Sequence, residues 1–401
     1  MTKHLLLLTI FLIPLLGAYG SFGYEQIKVL FFILSISLIG FIWLISKQKI
    51  KWNKVNIVSL LFILVLLLTS IFGADFKISL LGNPPYFQGW IVYAYLWLFS
   101  LVVAGSKIKF EHWKNILIYS AVVTGVLVIK DWFLINILNN PIPTYAGRVA
   151  SNFGQPNFYA GFLLVILPFS LKLRSKLEWA AVVVSIIAVL ISGSRIAIVL
   201  LACILVFWFL FKTESKKWII GGLGSFGLLI GLALFFSAHW STGLIWQEVI
   251  EPFNLRSKAF ANPSDSVERR FYLWPLGWEL INQKPLTGWG LENVDKAYRT
   301  YFEVNKHTLF EETLQPSSVL IRLKDLTIDR THNFTLDLLL LSGILGFALW
   351  GILVCLLVKK VQNKTLFVSL VLYLIWVQFQ NQSIVHLIYF WLLAGLINQE
   401  S

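Results

Sequence analysis

Long apolar runs separated by short polar segments recur along most of the chain. Each run is close to the roughly 20 residues, range about 17–25, that an α-helix needs to cross the hydrocarbon core of a bilayer. The runs lie near residues 5–20, 28–46, 55–73, 89–105, 114–137, 157–171, 178–192, 196–211, 218–238, 333–358, 365–381 and 383–398. The pattern predicts an all-α integral membrane protein with about twelve transmembrane helices.

The same runs divide the chain into three parts. Residues 1–238 hold nine predicted transmembrane helices with short loops, residues 239–332 form one large loop, and residues 333–401 hold three more helices. A connection as long as 239–332 rarely lacks structure of its own, so we expect it to be partly helical. The first run follows two basic residues and resembles a signal peptide. We favour a retained first helix, and both interpretations predict the same orientation for the rest of the chain.

Composition supports the membrane assignment. Hydrophobic residues make up 57% of the chain and charged residues 13%, against about a quarter charged in soluble domains. The net charge of +13 is spread along the chain without a basic stripe, an RNA-binding module or zinc-ligand spacing, which argues against nucleic acid as a partner. Cys203 and Cys355 fall inside apolar runs, so we expect both to be small buried hydrophobes.

The lysines predict the orientation of the helices. Alternate loops are rich in lysine: residues 47–54, 106–114, 172–176, 212–217 and 359–364. Because excess lysine and arginine marks the cytoplasmic side, these loops and both termini are predicted to be cytoplasmic. The large loop at 239–332 is then extracytoplasmic.

Arginine follows a different distribution from lysine. The predicted outer side carries Arg148, Arg195, Arg256, Arg269, Arg270, Arg299, Arg322 and Arg330, whereas Arg174 is the exception on the inner side. The planar guanidinium group binds two phosphate oxygens at once, which lysine cannot do. Any one of these arginines could instead pair with a carboxylate of the folded loop. The set as a whole favours an anion bound at the outer face.

Two segments of the large loop have helical patterns. The stretch VERRFYLWPLGWELINQKPLTGWG predicts an amphipathic helix that ends near Pro285, with Pro275 near its start or at a kink. We expect Arg269 and Arg270 at the beginning of this helix, where free N–H groups and the helix dipole favour an anion. The stretch LENVDKAYRTYFEV predicts a second helix with an aromatic face, for which anchoring at the membrane surface is the simpler explanation.

His332 lies where the large loop meets the next apolar run, followed by Asn333. An imidazole with an ordinary pKa of about 6.5 is a usable proton acceptor near neutral pH. A histidine that is simply solvated or hydrogen-bonded is the more common case at such a boundary. Asp337 lies about one turn into the apolar run, where a carboxylate is costly, so it is either functional or a partner for an arginine.

Two further segments lie at the predicted outer side. The sequence SGSR at 192–195 permits a tight bend and places Arg195 at the outer end of the eighth helix. The segment SNFGQPNFYAG at 151–161 contains neutral amides, among them Asn157. Such amides suit sugar hydroxyls and suit capping and turns equally well.

Four segments together resemble the O-antigen ligase and polymerase family of bacterial envelope glycan transferases. They are SNFGQPNFYAG, then SGSR, then RRFYLWPLGWELINQKPLTGWG at 269–290, and THNFTLDLLLLSGILG at 331–346. Each segment is short and partly hydrophobic, so the resemblance rests on their combination, order and spacing over roughly residues 150–350.

The resemblance implies a reaction at the outer face of the cytoplasmic (inner) membrane. A glycan would pass from a polyprenyl pyrophosphate carrier, typically undecaprenyl, to an acceptor hydroxyl, with inversion and without a metal or other cofactor. Arg195 and one of Arg269 and Arg270 would bind the pyrophosphate, with Arg299 as a further candidate. His332 would be the general base or position the acceptor. Supporting roles are expected for Asn333, Arg330 and Asn157.

The acceptor and the class of protein stay open at this point. Partners are the lipid-linked glycan donor, a glycan or lipid-glycan acceptor and membrane lipid, and the acceptor could also be a protein hydroxyl. A flippase or transporter of lipid-linked glycans is the alternative. It predicts internal repeats and a charged path through the membrane. No repeat is evident, and the intramembrane charges Lys130, Asp131 and Asp337 form no evident relay.

Overall fold

The computed structural model describes residues 2–18, 22–46, 52–145, 147–212, 263–304 and 327–399, and these are mostly α-helical. The helices are α1 (Thr2–Leu12), α2 (Tyr24–Ile45), α3 (Lys54–Ile71), α4 (Phe76–Leu81), α5 (Trp90–Gly105), α6 (Phe110–Asn136), α7 (Pro156–Ile166), α8 (Lys176–Ser192), α9 (Arg195–Lys212), α10 (Pro263–Gln283), α11 (Val294–Val304), α12 (Phe334–Lys360), α13 (Lys364–Trp376) and α14 (Ile384–Gln399). A two-stranded antiparallel hairpin, β1 (Thr144–Tyr145) and β2 (Arg148–Val149), lies between α6 and α7. Short 3-10 turns cover Ile13–Leu15, Ser151–Phe153 and Leu167–Phe169.

A helix forms within each predicted apolar run that the structure describes, although some runs extend past the ends of their helices. Among these residues, α2, α3, α6 and α12 are long and apolar enough to cross a membrane, and most of the other apolar helices are shorter. The run at 218–238 lies outside the described residues, so the count of about twelve crossings stays a prediction. One boundary is wrong: the run taken to extend over 365–381 ends as a helix at Trp376, and a polar turn follows.

The last helix, α14, is the centre of the bundle. Every residue from Ile384 to Asn398 is buried, and α14 packs against α2, α5, α7, α12 and α13. A helix that is apolar around its whole circumference is stable only when it is covered on all sides. The sequence of α14 meets this condition, and the five neighbouring helices cover it.

Hydrogen bonds join segments that the predicted alternation places at the same end of the bundle. At one end, Lys28 Nζ donates to Asn152 O at 2.7 Å and Ile384 N donates to Glu25 Oε2 at 2.6 Å. We call this the arginine-bearing end, because the segments that carry Arg148, Arg195 and Arg330 lie there. At the opposite, lysine-rich end, Lys360 Nζ donates to Asn398 Oδ1 at 2.6 Å, and the side chain of Asn398 also bonds to Asn53 and Asn56. The up-and-down order of the described helices therefore agrees with the alternation of the loops.

The two predicted helices of the large loop are present as α10 and α11. They pack on the first half of α12 through a second apolar cluster, separate from the main core. Its members include Leu273, Leu280, Trp289, Tyr298, Phe302, Leu336 and Leu340. The part of the loop that the structure describes is therefore folded against a membrane helix through its own core.

Two expectations about these helices are wrong. α10 begins at Pro263, so Arg269 and Arg270 lie in its second turn and not at its N-terminus. The polar residues after Pro263 continue the helix, and the dipole argument for an anion at these two arginines therefore fails. The aromatic face of α11 is not a membrane anchor, because Tyr298 and Phe302 are buried against α10 and α12.

The segment PLTGWG, residues 285–290, docks into a break in α12. Gly343 has φ 60° and ψ −167°, which interrupts the helix. In a continuous helix Leu340 O would accept from Ile344 N. Instead Leu340 O accepts from Trp289 N at 2.8 Å, and Ile344 N donates to Pro285 O at 2.9 Å. The loop thus supplies the hydrogen bonds that the broken helix lacks, which satisfies backbone groups that hydrocarbon could not.

This junction has no room for side chains at its glycines. A Cβ atom on Gly343 would overlap the carbonyl oxygen of Leu286, and one on Gly288 would lie 2.6 Å from the carbonyl carbon of Leu341. On the other side, Ala74 N donates to Trp289 O at 2.8 Å, which ties the same segment to the end of α3. The PLTGWG segment and the GILG segment, both noted in the sequence, are therefore two halves of one contact.

Two smaller expectations have definite outcomes. Lys130 and Asp131, which form no evident relay in the sequence, make a local ion pair with Nζ and Oδ1 3.1 Å apart. Cys355 is exposed on α12 and Cys203 is half-buried, so the expectation of two buried thiols is wrong. An apolar run predicts a membrane helix, but which of its faces is covered depends on the neighbouring helices.

Candidate active site

His332 lies in a short segment that is held on both sides. Its backbone has φ 62°, in the left-handed region that costs a non-glycine residue of the order of 1–3 kcal/mol. Before it, Thr331 N donates to Asp337 Oδ1 at 2.8 Å and Thr331 O accepts from Trp274 Nε1 at 3.0 Å. After it, Asn333 caps α12 by accepting from Leu336 N at 2.9 Å. The conformation of His332 is therefore imposed by its neighbours.

Arg330 is buried and bound to the protein's own groups. Its guanidinium pairs with Glu292, lies 4.7 Å from the centre of the Tyr86 ring, and donates to Gln88 Oε1 at 3.4 Å. Burial by itself would lower the pKa of Arg330, but the attraction of Glu292 and Asp337 outweighs it and the pKa is raised. Arg330 is thus charged at every accessible pH, and its charge is matched by a carboxylate inside the protein.

Arg299 lies on the exposed face of α11. Its Nε donates to Asp295 Oδ2 at 2.6 Å, one turn earlier, and this hydrogen bond raises the pKa of Arg299. The other oxygen of Asp295 accepts from Ile328 N at 2.9 Å, so the pair also fixes the chain just before the His332 segment. A role for Arg299 in binding pyrophosphate stays a prediction. Arg269 and Arg270 have side chains outside the described part of the structure, and the choice between them stays open.

Arg195 is the first residue of α9, directly after the bend that the sequence predicts. Gly193 ends α8 in the left-handed conformation, with φ 59°, and Ser194 is buried. Arg195 is half-buried at this corner. The predicted position of Arg195 at the beginning of this helix is therefore confirmed, and the assignment of this end to the outer side stays a prediction.

Arg148, which the sequence reasoning did not single out, lies beside Arg195. Its Nη1 donates to Ser192 O at 3.2 Å and to Asn157 Oδ1 at 3.4 Å. Burial lowers the pKa of Arg148, and the like charge of Arg195 acts in the same direction. Arg148 and Arg195 are thus close enough for their charges to act on each other, and guanidinium groups are well suited to bind phosphate oxygens. The available signal was the position of Arg148, directly before the SNFGQPNFYAG segment.

The turn between α13 and α14, Gln378–Gln382, connects the two sides of the site. We call it the amide loop, since four of its five residues are Gln or Asn. Gln380 Oε1 accepts from Asn157 Nδ2 at 3.0 Å, Gln378 O accepts from Asn333 Nδ2 at 3.2 Å, and Asn381 Nδ2 donates to Tyr86 OH at 2.9 Å.

The amide loop therefore places the Arg148–Arg195 pair and the His332 segment at the same end of the bundle, on one hydrogen-bonded frame. The hydropathy pattern alone includes residues 378–381 in an apolar run. Four amides in five residues between two apolar runs was the signal that could have identified the loop.

The space beneath this frame is small. A cavity of about 30 Å³ lies between Glu292, Arg330, Asp337 and the amide loop. That volume suits water and is far too small for a sugar ring. Within the described residues, no three His, Cys, Asp or Glu side chains are grouped so as to hold a metal ion.

The chain is similar to known proteins of one family. Residues 180–351 match the sequence profile described as O-antigen ligase. A Rickettsia prowazekii protein with the provisional name polysaccharide ligase is 25% identical over 383 residues, which cover 90% of this chain and 86% of the relative.

Two Acinetobacter baylyi proteins are also similar: a general O-oligosaccharyltransferase, 23% identical over 84% of the chain, and a ComP-specific O-oligosaccharyltransferase, 24% identical over 86%. The matches span 58% and 56% of these two longer proteins. The profile covers α9, α10, α11 and the first part of α12, which are the elements that hold Arg195 and His332. The chain therefore resembles the O-antigen ligase family over residues 180–351, and the relatives that match most of its length are a polysaccharide ligase and two O-oligosaccharyltransferases.

Proposed function

We propose that the protein transfers a glycan from a polyprenyl pyrophosphate carrier, such as undecaprenyl pyrophosphate, to an acceptor hydroxyl at the outer face of the cytoplasmic membrane. The observation that carries the proposal is the shared frame of the amide loop. It brings an anion-binding pair, Arg148 and Arg195, to the same end of the bundle as His332. Glycan transfer needs both functions, one for the leaving phosphate and one for the acceptor proton.

The proposed chemistry is a single displacement at the anomeric carbon. The acceptor oxygen forms a bond to this carbon on the face opposite the phosphate, the bond to the phosphate oxygen breaks, and the configuration inverts. Charge grows on the leaving pyrophosphate, and preorganised guanidinium groups stabilise it by several kcal/mol in comparable sites. His332 accepts the proton of the acceptor hydroxyl, a contribution of about 10²–10⁴-fold. No step of this sequence requires a metal.

The acceptor is proposed to be a sugar hydroxyl. The polysaccharide ligase of R. prowazekii matches over most of its own length, whereas the two O-oligosaccharyltransferases extend well beyond the matched region. The name of the R. prowazekii relative, polysaccharide ligase, supports a glycan acceptor over a protein one. The arginine-bearing end would face away from the cytoplasm, in agreement with the lysine-rich loops at the opposite end.

The test is transfer in proteoliposomes that contain the purified protein, a polyprenyl pyrophosphate-linked glycan and one candidate acceptor at a time. Wild type is compared with His332→Ala and with His112→Ala, a matched control because His112 is exposed at the lysine-rich end. We expect product with wild type and His112→Ala and a loss of at least about 10²-fold with His332→Ala.

Three other outcomes carry information. Equal rates for wild type and His332→Ala would contradict the role of His332. Movement of the donor between leaflets without transfer to any acceptor would indicate a flippase. Transfer to a protein hydroxyl in preference to a glycan would replace the proposed acceptor.

A further inference from the structure

We propose that Glu292 and Arg330 are positioning residues that hold His332 in its reactive place. This inference rests on the proposed function. Glu292 directly follows the PLTGWG segment and Leu291, and Arg330 precedes His332 by two residues. The pair therefore connects the break in α12 to the segment that carries the imidazole.

The contact is built inside the protein. The side chains are 4% exposed for Glu292 and 9% for Arg330, and Glu292 Oε1 accepts from Arg330 Nη2. The second oxygen of Glu292 accepts from Asn83 N at 3.4 Å. The same guanidinium covers the Tyr86 ring and reaches Gln88. A single buried pair thus joins three separate stretches of chain: 83–88, 291–293 and 329–333.

The backbone is unusual at Glu292 and at His332, two residues after Arg330. Glu292 and His332 each have φ 62°, a conformation that non-glycine residues rarely adopt. Such conformations persist only where the surrounding structure enforces them, and they concentrate at functional sites. Because Arg330 and His332 are two residues apart, their Cα atoms lie within about 7 Å. A shift of Arg330 is therefore passed directly to the position of the imidazole.

A buried pair of this kind is a weak source of stability. Replacing both partners by apolar residues of similar size is often neutral or stabilising, whereas removing one partner leaves a buried charge and is strongly destabilising. Stability therefore does not require an ion pair at this place. A fixed position for the His332 segment does require an ion pair, because the planar guanidinium group of Arg330 constrains the direction of its hydrogen bonds as well as their length.

The experiment uses the full-length protein in proteoliposomes with the double variant Glu292→Met/Arg330→Met. The two apolar side chains avoid an unpaired buried charge, so we expect the variant to fold with a thermal midpoint close to that of wild type. We expect kcat to fall by about 10²-fold, the effect of a small displacement of a catalytic group, with KM for the donor nearly unchanged. Arg330→Lys, which keeps the charge and loses the fork, should recover only part of kcat.

The matched control is Lys114→Met/Glu178→Met, which removes a buried pair with Nζ and Oε1 2.6 Å apart at the lysine-rich end. We expect wild-type kcat from this control. A second readout places the double variant in a His332→Ala background. If Glu292 and Arg330 act through His332, they change the residual rate no further, whereas a general loss of folded protein would lower both rates alike.

The outcomes separate the two proposals. Wild-type kcat in a folded Glu292→Met/Arg330→Met variant would overturn the positioning role, and the proposed function would stand if His332→Ala still fails. An equal loss of kcat in the lysine-rich control would also overturn it. If wild type itself makes no product, the proposed function fails. The positioning role is then tested by hydrogen exchange of the amides at 329–333, which the double variant should accelerate and the control should leave unchanged.

Discussion

The N–H of Trp289 donates to the carbonyl oxygen of Leu340 at 2.8 Å, across nearly fifty residues of intervening sequence. Through this hydrogen bond and its neighbours, a loop segment completes the hydrogen bonding of a broken membrane helix. Gly343 is the break, and Glu292 and Arg330 form their ion pair a few residues from the junction. The geometry of the His332 segment is therefore linked to a contact between PLTGWG and α12 that lies outside it.

Gly343→Ala should disrupt this junction. The new Cβ would overlap the Leu286 carbonyl and would require an alanine in a region of φ and ψ open almost exclusively to glycine. We expect the free energy of unfolding to fall by about 3 kcal/mol. Gly351→Ala is the matched control in the same helix, since its Cβ meets nothing within 4 Å. It should be neutral or stabilising by up to about 1 kcal/mol. Thermal unfolding in detergent compares the two, and equal midpoints would contradict the role of the junction.

Arg195→Ala and Arg148→Ala should each weaken binding of the pyrophosphate donor. A hydrogen bond to a charged group contributes about 1.5–3 kcal/mol, so kcat/KM should fall by about 10- to 100-fold in each variant. Arg148→Ala should also lower thermal stability, because Arg148 holds Ser192 O and Asn157. Arg174→Ala at the lysine-rich end is the control and should behave as wild type. Unchanged donor kinetics in Arg195→Ala would remove it from the anion site.

The pair of Asp75 and Lys296 should give a small pH-dependent stabilisation. The hydrogen bond from Lys296, Nζ to Oδ2 2.5 Å, and that from Ile78 N lower the pKa of Asp75. A carboxyl whose pKa is lowered by folding stabilises the protein above its unfolded pKa of about 3.9 and loses this contribution as pH falls through the folded pKa.

Lys296→Met should therefore cost up to about 1 kcal/mol at neutral pH, and the difference from wild type should vanish well below pH 4. Lys77→Met, at an exposed position on the same short helix α4, should show no such trend. Thermal midpoints measured from pH 7 to pH 3 test this, and a difference that persists at low pH would contradict it.

Topology is tested with reporters fused after Lys216 and after Asn293. The alternation of lysine-rich loops predicts that the first fusion reports the cytoplasmic side and the second the extracytoplasmic side. If both reporters lie on the same side, the chain crosses the membrane an even number of times between residues 217 and 293. The prediction of one crossing at 218–238 would then be wrong.

Several features could be predicted from the sequence because they are local. An apolar run of sufficient length forms a membrane helix whatever its partners, and the described helices follow these runs closely. Gly193 favours a sharp bend by its own conformational freedom, which placed Arg195 correctly at the start of α9. The four segments that carry the family resemblance were readable for the same reason, since each is a short contiguous pattern.

Other features could not be predicted because their causes are distant in sequence. Arg330 looks like the other arginines in the sequence, but Glu292, 38 residues before it, forms an ion pair with it in the fold. The proximity of Arg148 to Arg195 is likewise set by the fold. The start of α10 was misplaced because Ser and Asp after Pro263 are typical of loops, whereas the helix includes them. The burial of Tyr298 likewise depends on which surface α11 faces.

The sequence by itself determined the class of the protein, the positions of its apolar helices, the alternation of lysine-rich loops and the candidate residues Arg195 and His332. Those properties follow from hydrophobicity, charge and backbone preference over a few neighbouring residues. The tertiary structure decided which arginine is paired inside the protein, that the amide loop connects the two halves of the site, and that PLTGWG fills the break at Gly343. These are contacts between segments far apart in the chain, and the free energy that selects them comes from packing and hydrogen bonding that no local pattern records.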